Sequence, residues 1–193
     1  MEDFFTFCEE DRLVERIGII DPSLQFIDVL GRGSYGLVAK VAKGRKVYAL
    51  KMDMCYSMDP RIWELRGYVP TIQQEMKVQR LLSGIKGIPE VHEMHHNSFL
   101  MDYIEGKRLD KYNSQPQEFF DKVHGIVIQM NERGVAVQED ILVNVLVDKG
   151  SNPWLIDFML CHVKGSKLGP TDIVDFSRDV LLGLEMKYKR IPR

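Results

Sequence analysis

The chain has 193 residues, with 26 Lys and Arg against 28 Asp and Glu and a formal net charge of -2, which argues against a nucleic-acid coat or a polybasic membrane binder. Cys8, Cys55 and Cys161 show no C-x-x-C spacing, so the sequence predicts neither a disulfide framework nor a zinc site and favours a reducing, cytoplasmic compartment. No apolar run reaches the ~20 residues that span a bilayer, and we therefore expect no membrane segment.

The first half of the chain predicts a small antiparallel sheet. Residues 3–17 could form a short helix before the break at Asp21-Pro22-Ser23. Three β-like runs follow, joined by a glycine-rich turn and by a second turn that contains Gly44. Helical spacing of apolar residues predicts a helix over 71–83, and two further β-like runs complete a five-stranded sheet. The five runs are residues 25–30, 37–41, 46–52, 89–95 and 98–104.

A second region starts near Gly106. Apolar positions over 117–132 predict a strong helix that ends at Gly134. Two short apolar runs, 143–147 and 154–158, flank a polar turn and predict a hairpin. A final helix is predicted over 172–187, because its apolar residues fall on one face.

A glycine-rich segment and a strand lysine are the most informative motif. Residues 31–38 read Gly-Arg-Gly-Ser-Tyr-Gly-Leu-Val, and Lys51 follows 20 positions after Gly31 (51 − 31). Glycines let the backbone approach phosphate oxygens, and a lysine supplies a point charge for the same oxygens. A dinucleotide-binding fold would place a helix after these glycines, whereas Leu37-Val38-Ala39-Lys40-Val41 is β-like, so we reject that interpretation.

The hairpin of the second region carries oxygen ligands at both ends. Asn144 is followed by Val-Leu-Val, and Asp157 lies in Leu155-Ile156-Asp157-Phe158-Met159. Hard oxygen ligands suit Mg²⁺, so this pair could share one ion.

From residue 25 onward, the order of these parts resembles the protein-kinase-like superfamily. Residues 134–147 look like its catalytic loop, H-R-D-x-x-x-x-N, and residues 157–159 look like its D-F-G segment. The resemblance implies a two-lobed α+β fold, with an N-terminal extension at 1–24. The N-lobe would span 25–105, with a five-stranded antiparallel sheet and one helix, and a truncated, mostly helical C-lobe would span 106–193.

The resemblance also implies the site residues. Glu75, or else Glu64, would hold Lys51; Met101 would be the gatekeeper; and Glu105 could reach the ribose or be exposed. Asn144 and Asp157 would bind Mg²⁺. The residues implied to contact ATP come from the glycine-rich hairpin, the lysine strand, the next helix and the segment joining the lobes: Gly31, Gly33, Ser34, Gly36, Val38, Ala49, Lys51, Glu75, Met101, Asp102, Tyr103 and Ile104.

Two departures from the family pattern keep alternatives open. Glu139 occupies the place of the catalytic aspartate, with Asp140 one position late, and Met159 replaces the glycine of D-F-G. The extra methylene of a glutamate moves its carboxylate by roughly 1 Å, a displacement that can cost about 100-fold in rate; a one-residue bulge would instead put Asp140 in place. The sequence therefore predicts an atypical serine/threonine kinase that uses ATP and Mg²⁺, or else a pseudokinase that acts as a nucleotide-binding or partner-binding scaffold.

The short ending resembles RIO-type and other small bacterial, archaeal or viral kinases. Only 36 residues follow Asp157 (193 − 157), with no Ala-Pro-Glu and little room for the acceptor pocket of an antibiotic-type kinase. Asp172 or Asp175 could brace the catalytic loop or simply favour the helix N-terminus. We expect a protein substrate, and a protein partner that completes the short C-lobe; nucleic acid and membrane are not expected.

The segment His92-Glu93-Met94-His95-His96 matches H-E-x-x-H, the zinc-protease pattern. That chemistry requires both histidines on one face of a helix. Because the segment is short and is predicted to be a strand, we interpret these histidines as surface residues.

Overall fold

A computed structural model of the chain describes residues 10–33, 36–53, 71–136, 144–159, 161–164 and 173–188. Over these ranges the protein is α+β, and its largest sheet has five strands in the spatial order Leu24–Gly33, Gly36–Lys43, Lys46–Asp53, Ser98–Asp102 and Val91–His95, which confirms the predicted five-stranded antiparallel sheet. The chain divides into two compact units, Met1–Tyr68 with His92–Tyr103 and Val69–Val91 with Ile104–Arg193. Within the part that the structure describes, no helix is both long and apolar enough to cross a membrane.

Among its described residues, the first unit consists of a helix packed on the five-stranded sheet. Its helix begins at Glu10, later than the predicted segment, of which residues 3–9 lie outside the described ranges. The elements are α1 (Glu10–Ile20), β1 (Leu24–Gly33), β2 (Gly36–Lys43), β3 (Lys46–Asp53), β4 (Val91–His95) and β5 (Ser98–Asp102). The turn from β2 to β3 contains Gly44 at φ +61°, a left-handed conformation that glycine adopts without steric cost.

The core of the first unit follows from two periodicities. Leu13 and Ile17 lie four apart, so they share one face of α1 and are buried in a cluster with Leu37, Leu50 and Leu100 of the sheet. Successive strand residues point to opposite faces, and the helix therefore covers the face that carries these leucines.

The second unit combines three helices with two small sheets among the described residues. Its larger sheet has three strands, in the spatial order Gly106–Arg108, Val145–Asp148 and Pro153–Leu155, and its smaller sheet pairs His162–Val163 with Val135–Ala136. The elements are α2 (Ile72–Leu81), β6 (Gly106–Arg108), a 3-10 turn (Leu109–Lys111), α3 (Gln117–Glu132), β7 (Val135–Ala136), β8 (Val145–Asp148), β9 (Pro153–Leu155), β10 (His162–Val163) and α4 (Ile173–Tyr188).

Helix α2 belongs by its contacts to the second unit. Thr71 and Gln74 form a reciprocal capping box that fixes its start. Val78 and Leu82 are buried in one cluster with Phe119 and other residues of α3 and the hairpin. The sequence-based division grouped this helix with the five-stranded sheet, whereas contact clustering places it in the second unit, and Val78 and the adjoining Leu82 contribute to the core of that unit.

Candidate functional site

The glycine-rich hairpin is built by the facing ends of β1 and β2. Gly31 pairs with Val38, and Gly33 pairs with Gly36. A Cβ added at Gly36 would lie 2.5 Å from the backbone oxygen of Met52, whereas a Cβ added at Gly31 would meet nothing within 4 Å. Sheet packing thus requires glycine at position 36, while the surroundings of Gly31 leave room for a group to approach its backbone.

One face of the five-stranded sheet gathers the residues expected around a nucleotide. Val38 pairs with Lys51, and Ala49 pairs with Met101, so these four side chains point to the same side. This is the face opposite the one that α1 covers. Lys51 is only 5% exposed, which is unusual for a lysine because desolvating its charge is costly.

The last residue of β5 and the residue after it form side-chain contacts within the first unit. The carboxylate of Asp102 lies 2.7 Å from Nε2 of His92, and the ammonium of Lys40 lies 4.3 Å from the centre of the Tyr103 ring. Because these two side chains make contacts with other residues, we expect the backbone groups of residues 102–104, rather than their side chains, to recognise the adenine. In the second unit Ile104 is half-buried, and Glu105 forms an exposed ion pair of 2.9 Å with Lys149.

The hairpin β8–β9 brings Asn144 and Asp157 to the same end. Asn144 immediately precedes β8, and its carbonyl accepts a hydrogen bond of 2.9 Å from the amide of Ile156, the residue before Asp157. Asp157 has φ +63°, a left-handed conformation that costs a non-glycine residue free energy and tends to occur at functional sites. An amide oxygen and a carboxylate, both half-buried, form a donor set that fits a hard divalent cation.

The carboxylate of Glu75 reaches the backbone beside Asp157. Glu75 is 1% exposed, and its Oε1 accepts a hydrogen bond of 3.2 Å from the amide of Phe158. The resemblance implied Lys51 as the partner of Glu75 and did not indicate this contact. No sequence signal at Phe158 could have done so, because every residue other than proline carries the same amide.

Asp148 stabilises the turn of the same hairpin. Its Oδ1 accepts hydrogen bonds of 2.8 Å from the amides of Gly150 and Asn152, and its Oδ2 accepts one of 3.1 Å from the indole of Trp154. Burial raises the pKa of Asp148, but these hydrogen bonds favour the charged form and leave the pKa below its usual value. The sequence indicated only a polar turn between residues 147 and 154, although an aspartate followed by Gly and Asn is typical of such side-chain-to-backbone bonding.

Several predicted residues lie outside the ranges that the structure describes. They are Ser34 of the glycine-rich turn, Glu64, both candidate bases Glu139 and Asp140, and Asp172. Asp175 lies in α4, but its side chain is not described.

The H-E-x-x-H segment forms strand β4 over Val91–His95, as predicted, rather than the helix that zinc proteolysis requires. Glu93 and His95 approach Asp21 closely enough for the three to hold a metal on distance alone. The ammonium of Lys43 already lies 2.6 Å from Glu93 and 2.9 Å from Asp21, and it supplies positive charge to both carboxylates.

Comparison of the sequence with protein-family models and with curated proteins finds no match.

Proposed function

We propose that the chain is a compact, two-lobed kinase-like phosphotransferase that binds ATP with Mg²⁺ and transfers the γ-phosphoryl group to a hydroxyl of a protein serine or threonine. The observation that carries the proposal is the placement of Asn144 and Asp157 at one end of a hairpin, with Asp157 in a left-handed conformation. Strain of this kind persists only where the surrounding structure enforces it, which favours a functional role for this carboxylate.

The first unit would supply the phosphate-binding groups. The backbone near Gly31 is open to a close neighbour, and Lys51 is buried on the face that also presents Val38, Ala49 and Met101. A buried ammonium attracts phosphate oxygens more strongly than an exposed one, because water screens it less. Lys51 would therefore neutralise the phosphates, while the small and apolar side chains would accept the adenine.

The second unit would supply the metal-binding groups. Asn144 and Asp157 would hold Mg²⁺, which supplies positive charge that neutralises the phosphates during transfer. Glu139 or Asp140 would accept the proton of the attacking hydroxyl. A bond then forms between that oxygen and the γ-phosphorus, the bond from phosphorus to the bridging oxygen breaks, and ADP leaves. Under this proposal the protein works in the cytoplasm and acts on another protein.

Transfer of labelled γ-phosphate from ATP to the chain itself and to proteins of a cell lysate tests the proposal. Lys51→Met and Asp157→Asn should each lower the rate by about 100-fold or more, because each removes charge from the transferring group. Lys46→Met is the matched control, since Lys46 lies on the same strand but is exposed. Undiminished transfer by Lys51→Met would show that another residue neutralises the phosphates.

A pseudokinase is the second candidate, favoured by Glu139 and Met159 in the places of an aspartate and a glycine. Calorimetry with ATP and Mg²⁺ separates the two. Binding that Asp157→Ala weakens, without measurable turnover, would favour the scaffold, whereas turnover that Glu139→Gln or Asp140→Asn abolishes would favour the enzyme.

A further inference from the structure

Helix α4 packs against α3 along one of its sides. Ser177 and Tyr188 are buried, and the hydroxyl of Ser177 donates to the side-chain oxygen of Asn131 in α3 at 3.0 Å. Nearer the end of α4, the carboxylate of Glu185 lies 3.6 Å from Nε2 of His124, which also belongs to α3. These contacts fix which side of α4 faces the core of the second unit.

The other side of α4 is exposed and apolar at its centre. Leu182 and Met186 are 50% and 86% exposed, and they lie four residues apart, so they are neighbours on the helix surface. Gly183 adjoins both, and a Cβ added there would meet nothing within 4 Å. Scattered exposed apolar side chains are ordinary in a globular protein, whereas adjoining ones indicate an interaction surface.

Opposite charges flank these apolar residues. Asp179 lies four residues before Gly183 and Lys187 four residues after it, and both are exposed. Each is therefore about 6 Å from the glycine along the helix axis. When two copies of α4 lie antiparallel and cross at Gly183, Asp179 of each copy comes level with Lys187 of the other. A parallel pair would instead bring Asp179 level with a second Asp179, and like charges repel.

The absence of a side chain at Gly183 lets two antiparallel copies of the helix approach closely. Helical side chains tilt toward the N-terminus, so Met186 of each copy reaches back over Gly183 of the other. The two Leu182 side chains then meet across the two-fold axis, because both copies use the same surface. The apolar contacts would supply the affinity. Exposed ion pairs contribute little stability, and they would instead specify the antiparallel register.

We propose that the exposed face of α4, formed by Asp179, Leu182, Gly183, Met186 and Lys187, binds a second copy of the chain in a two-fold antiparallel contact. The proposal does not depend on the proposed function. One face of a 16-residue helix is smaller than a standard protein interface, which buries about 1,200–2,000 Å² in total. We therefore expect a weak dimer, with a dissociation constant of roughly 10–100 µM.

Sedimentation velocity on the full-length chain, over a concentration series that brackets this range, tests the proposal. Met186→Lys should weaken dimerisation about tenfold or more, because it places a charge in the centre of the apolar contact. Ile19→Lys is the matched control and should stay within about threefold of the wild type. It also replaces an exposed apolar residue in the last turn of a helix, but that helix is α1 of the first unit.

Charge reversal tests the register. Asp179→Lys and Lys187→Asp should each weaken dimerisation about fivefold, because each sets like charges opposite one another at both ends of the contact. The double variant Asp179→Lys/Lys187→Asp restores opposite charges and should return to within about threefold of the wild type. Thermal unfolding followed by circular dichroism checks that every variant keeps the wild-type fold.

Dimerisation that Met186→Lys weakens and that the double reversal restores would support the proposal. A wild type that stays monomeric well above the expected dissociation constant would overturn it and would leave this face to a different occupant. A dimer that Met186→Lys does not weaken uses another surface, and that result also rejects the proposal. If the double variant dimerises no better than the two single variants, the antiparallel contact is wrong.

Discussion

Two glycines of the same hairpin should respond in opposite ways to one added methyl group. A Cβ at position 36 would lie 2.5 Å from the carbonyl oxygen of Met52, whereas ordinary van der Waals contacts begin near 3.4 Å. The two strands would have to separate by about 0.9 Å (3.4 − 2.5) at the point where Gly36 pairs with Asp53. The atom in the way belongs to the backbone, so no side-chain rotation relieves the clash.

The expected magnitude follows from this overlap. Inserting a methyl group into a well-packed site costs about 1–3 kcal/mol, and we expect Gly36→Ala to lower the free energy of unfolding by that amount. Gly31 has no atom within 4 Å of the added Cβ, and no positive φ is recorded there. Replacing a glycine in a strand by alanine gains about 0.5–1 kcal/mol, so Gly31→Ala should be as stable as the wild type or slightly more stable.

Urea unfolding and ATP calorimetry on the same two variants provide the test. Under the proposed function, Gly31→Ala weakens ATP binding although it does not destabilise the protein, because its methyl group occupies the space that a phosphate would approach. Gly36→Ala with wild-type stability would refute the packing argument. Gly31→Ala with wild-type ATP affinity would refute the role of this glycine in phosphate binding.

Two further predictions concern the supports of the site. Hydrogen bonds lower the pKa of Asp148 in the folded state, so its contribution to stability is complete above the unfolded value of 3.8 and is lost as the pH falls through the lower folded value. Asp148→Ala should remove this acid dependence and lower the free energy of unfolding by about 2–3 kcal/mol at pH 7. Urea unfolding followed by Trp154 fluorescence measures both effects. An unchanged dependence of stability on pH would contradict the prediction. Arg133→Met should lower the stability of the second unit by about 1 kcal/mol, because the carbonyls of Leu81 and Ser83 lose the guanidinium donor. Amide exchange at the end of α2 that is faster than in an Arg80→Met control would support this effect.

The regular elements were accessible from the sequence because their signals are local. The apolar spacing of residues 117–132 predicted α3 with both of its ends, and the turn around Gly44 predicted the β2–β3 hairpin. The short strands β6, β7 and β10 were not predicted, because two or three residues are too few to show a periodicity.

The arrangement of the site was accessible only in part. The pattern around Asn144 and Asp157 indicated a hairpin, and the ends of a hairpin must meet. The contact between Glu75 and Phe158 depends on the packing of α2 against the second unit, and side-chain spacing within a helix does not specify which neighbour it will meet. The left-handed conformation of Asp157 was also beyond sequence reasoning, because aspartate adopts it only occasionally and nothing in the neighbouring sequence marks this position.

Each of the two units is built from two separate stretches of the chain, and this affects the order in which their cores can form during synthesis. It builds β1 to β3, then contributes α2 to the second unit, and returns at His92 for β4 and β5 before leaving again after Tyr103. Leu100 of β5 is part of the first core, so this core cannot close on the ribosome until β5 has emerged. The apolar side chains of Val78 and Leu82 stay uncovered until α3 has been synthesised and packs against them. No single cut in the chain would separate the strands and helices of one unit from those of the other.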